Sequence, residues 1–139
     1  MKELLITDLD GTLLDSNGKL SDISAEIINQ FISTGGAFTF ATARTASSAV
    51  KITEKININT PCILMNGVSI YDIQKKKYIK NEYINNGTAV TVAAIFKQCN
   101  IKPFMYKIKN NRLFALYTGF ENKQMNEFFL LRRDKYDKP

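Results

Sequence analysis

The chain opens on an apolar segment that stops abruptly at charge: Leu4-Leu5-Ile6-Thr7 runs into Asp8-Leu9-Asp10-Gly11-Thr12. A short apolar run bounded by turn residues suits a parallel strand over 3–7 that is covered on both faces. Asp15-Ser16-Asn17-Gly18 reads as a turn, and Asn-Gly between Leu13-Leu14 and Leu20 predicts a small hairpin. Ile23, Ile27 and Phe31 then recur at helical spacing, with Ile28 and Ile32 beside them, which predicts a helix over 22–34 with one apolar face. Ser21 or Asp22 can cap its start, and Gly35-Gly36 ends it. "AFTFAT" (37–42) is a second strand, a looser helix covers 45–55, and "CILMN" (62–66) is a third strand after Thr60-Pro61.

The order β-α-β-α-β implies an α/β fold with a parallel sheet and right-handed crossovers. The pattern then changes. "VSIYD" (68–72) and "KYIKNEYI" (77–84) read as a hairpin, and Asn85-Asn86-Gly87 marks a break. A helix over 88–99 carries Val92, Ile95 and Phe96 on one side, and two strand-like pieces flank Asn110-Asn111 as another hairpin. Residues from Glu121 to Arg132 look helical, and "RRDKYDKP" reads as a charged tail. These changes predict a domain boundary near Asn85, giving residues 1–84 and 85–139.

Composition narrows the chemistry. Hydrophobic residues are 45% and charged residues 23%, as in a globular chain, and no apolar run is long enough for a membrane span. With no signal-peptide pattern at the start, a cytoplasmic location is expected. There is no histidine, which removes Ser-His-Asp and Cys-His chemistry and most zinc sites. Cys62 and Cys99 have no C-x-x-C spacing, and a disulfide is not expected in a reducing compartment. The net charge of +6 is scattered along the chain and reads as a solvated surface rather than a nucleic-acid groove. Phe104, Tyr106, Phe114 and Tyr117 read as hairpin packing rather than platforms for bases.

Ligands of open α/β sheets bind beyond the carboxyl ends of the strands. That rule selects Asp8, Asp10, Gly11 and Thr12 after the first strand, Thr42, Ala43 and Arg44 after the second, and Asn66 and Gly67 after the third. Two carboxylates two residues apart can face one small volume. There they suit a hard divalent cation, or general acid and base work. Gly11 permits a sharp turn, Thr12 and Thr42 offer hydroxyls, and Arg44 is a fixed positive charge; such a set suits a phosphoryl group. Taken alone, Asp-x-Asp-Gly equally describes a simple turn. Arg44 is open to two readings, an ion pair or a substrate contact, and Asn66-Gly67 also suits a plain turn. An EF-hand starting at Asp8 is excluded, because Leu13 and Lys19 stand where glycine and glutamate are required.

"DLDGT" after an apolar strand, "FTFATAR" and "PCILMNGVSIYD" together resemble, in order and spacing over residues 3–84, the haloacid dehalogenase (HAD) superfamily, in its Cof-type sugar phosphatase branch. The resemblance implies a HAD-like Rossmannoid parallel-sheet core in its N-terminal part, followed over 85–139 by part of an α/β cap. It implies a Mg²⁺-dependent phosphohydrolase acting on a small phosphorylated metabolite such as a sugar phosphate, and it does not exclude a phosphomutase. Asp8 would be the nucleophile, forming an aspartyl-phosphate and touching Mg²⁺. Asp10 would protonate the leaving group, then activate water, and would also serve the metal. Thr42, Ala43, Gly11 and Thr12 would hold the phosphoryl group, and Arg44 and Asn66 occupy places that can meet substrate.

The sequence departs from that branch at Ala43, where glycine is usual, and in that nothing after residue 84 supplies the family's later motif lysine and its Gly-Asp-x-x-x-Asp-like cluster. Asp134 and Asp137 lie in the charged tail and do not supply it. The chain is therefore expected to be the front part of a longer protein, with the C-terminal part of the core absent. Weak or no activity, self-association through the incomplete core, and no nucleic-acid or membrane partner are the corresponding expectations. The alternative is a non-catalytic phosphate-binding or interaction module with the same partial fold.

Overall fold

The computed structural model describes residues 3–120 and 122–136. The chain divides into two compact units, one ending at Glu82 and one starting at Tyr83.

The first unit holds β1 (Leu4–Thr7), α1 (Asp22–Ser33), β2 (Ala37–Phe40), α2 (Ala46–Ile52), β3 (Cys62–Leu64), β4 (Ser69–Asp72) and β5 (Lys77–Asn81). β1 and β2 are parallel, in a register running from Leu4 opposite Ala37 to Thr7 opposite Phe40. A parallel bridge between Ala41 and Ile63 joins β3 to this pair, so three strands end on the same side. β4 and β5 follow as antiparallel neighbours of β3.

Phe38 and Phe40 are fully buried in the centre, and Leu9, Leu14, Ala25, Ile28, Ala49, Cys62 and Leu64 close around them. β1 departs from the expected double coverage: Leu4, Leu5 and Ile6 are 57%, 49% and 49% exposed. The reason is topological, since β1 pairs only with β2 among the described residues. The turn at Asp15–Gly18 forms no hairpin strands. It is held instead by the Asp15 carboxylate, which accepts the N–H groups of Asn17 and Lys19 at 2.9 and 2.8 Å. The Lys19 N–H leads in holding that carboxyl below its usual value.

α1 starts at Ser21, whose hydroxyl accepts the Ser24 N–H at 3.0 Å. It ends in a Schellman arrangement, with Gly35 N–H on Ile32 O at 3.0 Å and Gly36 N–H on Phe31 O at 3.1 Å. Gly35 takes the left-handed conformation (φ 97°) that this ending requires. Gly36 is needed for a different reason: a Cβ there would lie 2.4 Å from the Phe31 ring. The apolar face that packs is Ala25 and Ile28, flanked by Phe31 and Ile32, whereas Ile23 and Ile27 are 70% and 62% exposed. So many isoleucines give the helix two candidate stripes, and the one containing the small Ala25 lets the helix approach the sheet.

α2 is shorter than its pattern predicts. It stops at Ile52, where the N–H and hydroxyl of the next residue, Thr53, both bond back to Ala49 O, at 3.1 and 2.9 Å. β3 likewise stops at Leu64, and β5 stops at Asn81.

The second unit contains α3 (Asn86–Gln98), β6 (Met105–Lys109), β7 (Arg112–Leu116) and α4 (Lys123–Tyr136). Asn85 caps α3 by accepting the Thr88 N–H at 2.8 Å. Asn110 and Asn111, at φ 50° and 61°, make the left-handed two-residue turn that joins β6 to β7. Phe104, Tyr117, Phe120 and Phe129 pack on one another, with Tyr117 and Phe129 centroids 4.7 Å apart. The segment expected to be a tail is helical through Tyr136, so α4 absorbs most of it. Glu121, the expected helix start, and residues 137–139 lie outside the described residues. Among the described residues, no helix is long and apolar enough to cross a membrane.

Candidate active site

The site forms where β1, β2 and β3 end together. Asp8 (φ −81°, ψ 163°) and Asp10 (φ −77°, ψ 119°) are extended, and the intervening Leu9 is completely buried. The single leucine anchors the loop in the core while both neighbouring carboxylates stay exposed. The chain then turns through Gly11 at φ 77°, ψ 4°, and Leu14 N–H closes the loop on Leu9 O at 2.9 Å. A Cβ on Gly11 would meet nothing within 4 Å, so the demand for glycine here is conformational rather than steric.

Thr42 follows β2. Its N–H donates to Ile63 O at 3.0 Å, and its carbonyl accepts the Asn66 N–H at 3.1 Å. Its buried hydroxyl accepts the Arg44 N–H at 3.2 Å, which leaves the O–H proton to donate elsewhere. The third strand end is a run of left-handed residues, Met65 (φ 53°), Asn66 (φ 57°) and Gly67 (φ 91°). Met65 carries a side chain that this conformation disfavours, whereas asparagine and glycine accept it. The strain is offset by hydrogen bonds that dock the turn on the β2 loop, including Met65 N–H to Arg44 O at 3.2 Å.

These three ends wall a cleft of about 530 Å³. Asp8, Asp10, Thr42, Ala43, Asn66 and Gly67 line it, with Ala41 and Ile63 at its base. Gly11, Thr12 and Arg44 do not line it. Gly11 shapes the loop from behind, and Arg44 is turned onto Asp10. Its Nε donates to Asp10 Oδ2 at 2.8 Å and its Nη2 to Asp10 Oδ1 at 2.5 Å. Arg44 therefore forms an ion pair with Asp10.

Sequence reasoning missed Ser48, which is fully buried and accepts Arg44 Nη1 at 3.0 Å. The available signal is its spacing, four residues after Arg44 and one turn into α2. No hydrogen bond or ion pair engages the Asp8 carboxylate among the described residues. Cys62 does not line the cleft, and burial pushes its thiol up to about 12, which leaves it protonated near neutral pH.

The Asp8 carboxylate and the Asp10 main-chain carbonyl are hard oxygen donors of the kind Mg²⁺ takes, with water and phosphoryl oxygens completing its shell. The described residues contain no cluster of three or more Asp, Glu, His or Cys side chains. Among the described residues, this donor set fits a cation whose shell is completed by other oxygens.

Known proteins share both the sequence and the fold. A protein of Buchnera aphidicola subsp. Schizaphis graminum described as "Putative phosphatase" is 33% identical over 81 residues, which are 58% of this chain and 30% of that protein. A second from Buchnera aphidicola subsp. Baizongia pistaciae, with the same description, is 36% identical over 76 residues, or 28% of its length. A solved structure from Thermotoga maritima superimposes on 99% of this chain and 49% of its own, with TM-score 0.72 and 23% identity. A HAD subclass IIB sugar phosphatase superimposes on 93% of this chain and 48% of its own, with TM-score 0.63 and 18% identity. The chain thus spans about half the length of the solved structures it matches, and the aligned segments cover less than a third of these relatives. Its fold is that of the solved structures. Residues 5–138 match the model of the haloacid dehalogenase-like hydrolases, and the chain belongs to that family.

Proposed function

We propose that this chain carries the nucleophile side of a Mg²⁺-dependent phosphohydrolase acting on a small phosphorylated metabolite, a sugar phosphate among the candidates. The observation that carries this reading is the shared cleft lined by Asp8, Asp10 and Thr42. An Asp8 oxygen attacks phosphorus and the ester P–O bond breaks, while Asp10, protonated and released from the Arg44 fork, gives its proton to the leaving oxygen. Water then attacks the aspartyl-phosphate, Asp10 takes the water proton, and the bond to Asp8 breaks to release inorganic phosphate. The Thr42 hydroxyl and the Ala43 N–H donate to phosphoryl oxygens. Asp8 and the Asp10 carbonyl would hold Mg²⁺, whose charge offsets that of the phosphoryl group.

Under this reading residues 1–84 serve as the front of the core and 85–139 as part of a cap. The later lysine and acidic cluster that the family resemblance implies are not in these residues. We therefore expect slow turnover from this chain alone.

The test is incubation with p-nitrophenyl phosphate and Mg²⁺, followed by peptide mapping for a phosphoryl adduct on Asp8. The expected result is an adduct and a slow release of phosphate, both lost in Asp8→Asn. Turnover that survives Asp8→Asn overturns the mechanism. No adduct, together with retained phosphate binding, favours a non-catalytic phosphate-binding module.

A further inference from the structure

We propose that Arg44 is a positioning residue that aims the Asp10 carboxylate at the second chemical step, rather than a contact for the substrate. The inference rests on the phosphotransfer reading above and assigns that site a working part.

Hydrogen bonds to Thr42, Met65, Ser48 and Asp10 fix Arg44. Its N–H is bonded to Thr42 Oγ1 at 3.2 Å, and its carbonyl accepts the Met65 N–H at 3.2 Å. The main chain is thus held between the ends of β2 and β3. Its Nη1 rests on the buried Ser48 hydroxyl at 3.0 Å, which braces the guanidinium against α2. Nε and Nη2 meet the two oxygens of Asp10 at 2.8 and 2.5 Å, a fork-to-fork geometry that fixes the plane of the carboxylate as well as its place.

Asp10 needs such a guide. It sits on a loop that turns at Gly11, and its side chain is 53% exposed, whereas that of Arg44 is only 18% exposed. The braced partner therefore orients the exposed one. Arg44 does not line the cleft, and Gly18 of the preceding turn lies against its Nη2, within 3.9 Å of where a Cβ would stand. A carboxylate oxygen has more than one lone-pair direction, so accepting a bond from Arg44 does not by itself use up an Asp10 oxygen. The carboxylate can therefore receive a water proton while the fork holds it. In the second step water attacks phosphorus, its proton passes to Asp10, and the bond from phosphorus to Asp8 breaks.

p-Nitrophenyl phosphate separates the roles, because its leaving group departs without a proton from Asp10. Rapid mixing with Mg²⁺ then reads phosphorylation of Asp8 as a burst and dephosphorylation as the steady rate. If Arg44 aims Asp10, Arg44→Ala keeps the burst and KM. Its steady rate falls by about 100-fold, the size of a misplaced catalytic group, and phosphorylated Asp8 accumulates. Arg44→Lys, which keeps the charge but not the fork, does not restore the rate. A slower burst with a raised KM overturns the proposal and makes Arg44 a substrate contact.

A second measurement needs no turnover. Thermal unfolding of Arg44→Ala, Asp10→Asn and the double variant should be non-additive, the double variant losing less than the sum. Additive losses overturn the pairing. Non-additive losses in a protein that forms no Asp8 adduct keep the pairing and sink the phosphotransfer reading instead.

Discussion

The side-chain carbonyl of Asn59 accepts the main-chain N–H of Phe38 at 2.9 Å. The same side chain donates through Nδ2 to Gly36 O at 2.8 Å, so one amide fastens both ends of the entry to β2. Thr60 Oγ1 to Phe38 O and Thr39 Oγ1 to Pro61 O continue the contact at 2.6 and 2.8 Å. Side chains here take the place of a strand partner that the approach to β3 does not supply. Asn59→Ala should cost about 1–3 kcal/mol, the range for leaving such groups without partners, read as a lower denaturant midpoint at unchanged slope.

Gly36 and Phe31 form a matched pair. A methyl group added at Gly36 would stand 2.4 Å from the Phe31 ring, which leaves no room for alanine unless the ring moves. Gly36→Ala should destabilise by about 1–3 kcal/mol, the usual cost of overpacking. Adding Phe31→Leu should recover part of that loss in the same unfolding experiment, because the smaller side chain vacates the space.

The two thiols should behave differently. Cys99 is exposed and Cys62 is buried, its Sγ directed at Tyr71 O at 3.3 Å. At pH 8 a disulfide reagent should modify one thiol in the native protein and the second only after unfolding. Burial raises the Cys62 thiol from 9.0 to about 12 in the folded state. The unfolded chain therefore loses this proton first. Stability from this group is complete below pH 9.0 and is lost as pH rises towards 12. Cys62→Ala should remove that part of the alkaline loss in a pH series of unfolding midpoints.

The outer edge of β1 and the outer stripe of α1 present Leu4, Leu5, Ile6, Ile23 and Ile27 to solvent. An apolar strand edge of this kind invites pairing with another chain. Light scattering should show concentration-dependent association, and Leu5→Lys with Ile27→Lys should shift it towards monomer. A monomer at every concentration would contradict this.

Much of this architecture is legible in the residues, because local chemistry decides it. Ser21, Gly35 and Gly36 bound α1 where their types require, and Asn110-Asn111 turns the last hairpin. The strand ends are readable because apolar runs stop there at Asp8, Thr42 and Asn66. What is not legible depends on partners distant in sequence. Arg44 and Asp10 are 34 residues apart, so nothing local announces their pairing. The choice between Ala25 and Ile23 as the buried stripe of α1 is made by the sheet it packs on. The left-handed Met65 is held by Arg44 and by the neighbouring loop, against its own preference. Burial of β1 on both faces fails for the same reason, since coverage belongs to neighbours and not to the strand.

Leu9 gives assembly and chemistry a common key. With no exposed surface, it acts as a peg that seats only when the hydrophobic interior has closed around it. Slipping the loop by one position would drive a carboxylate into grease and throw the leucine into water, a swap costing several kcal/mol. The reactive arrangement thus cannot form in a half-collapsed molecule, and a folding defect in the interior near Leu9 would surface first as lost reactivity.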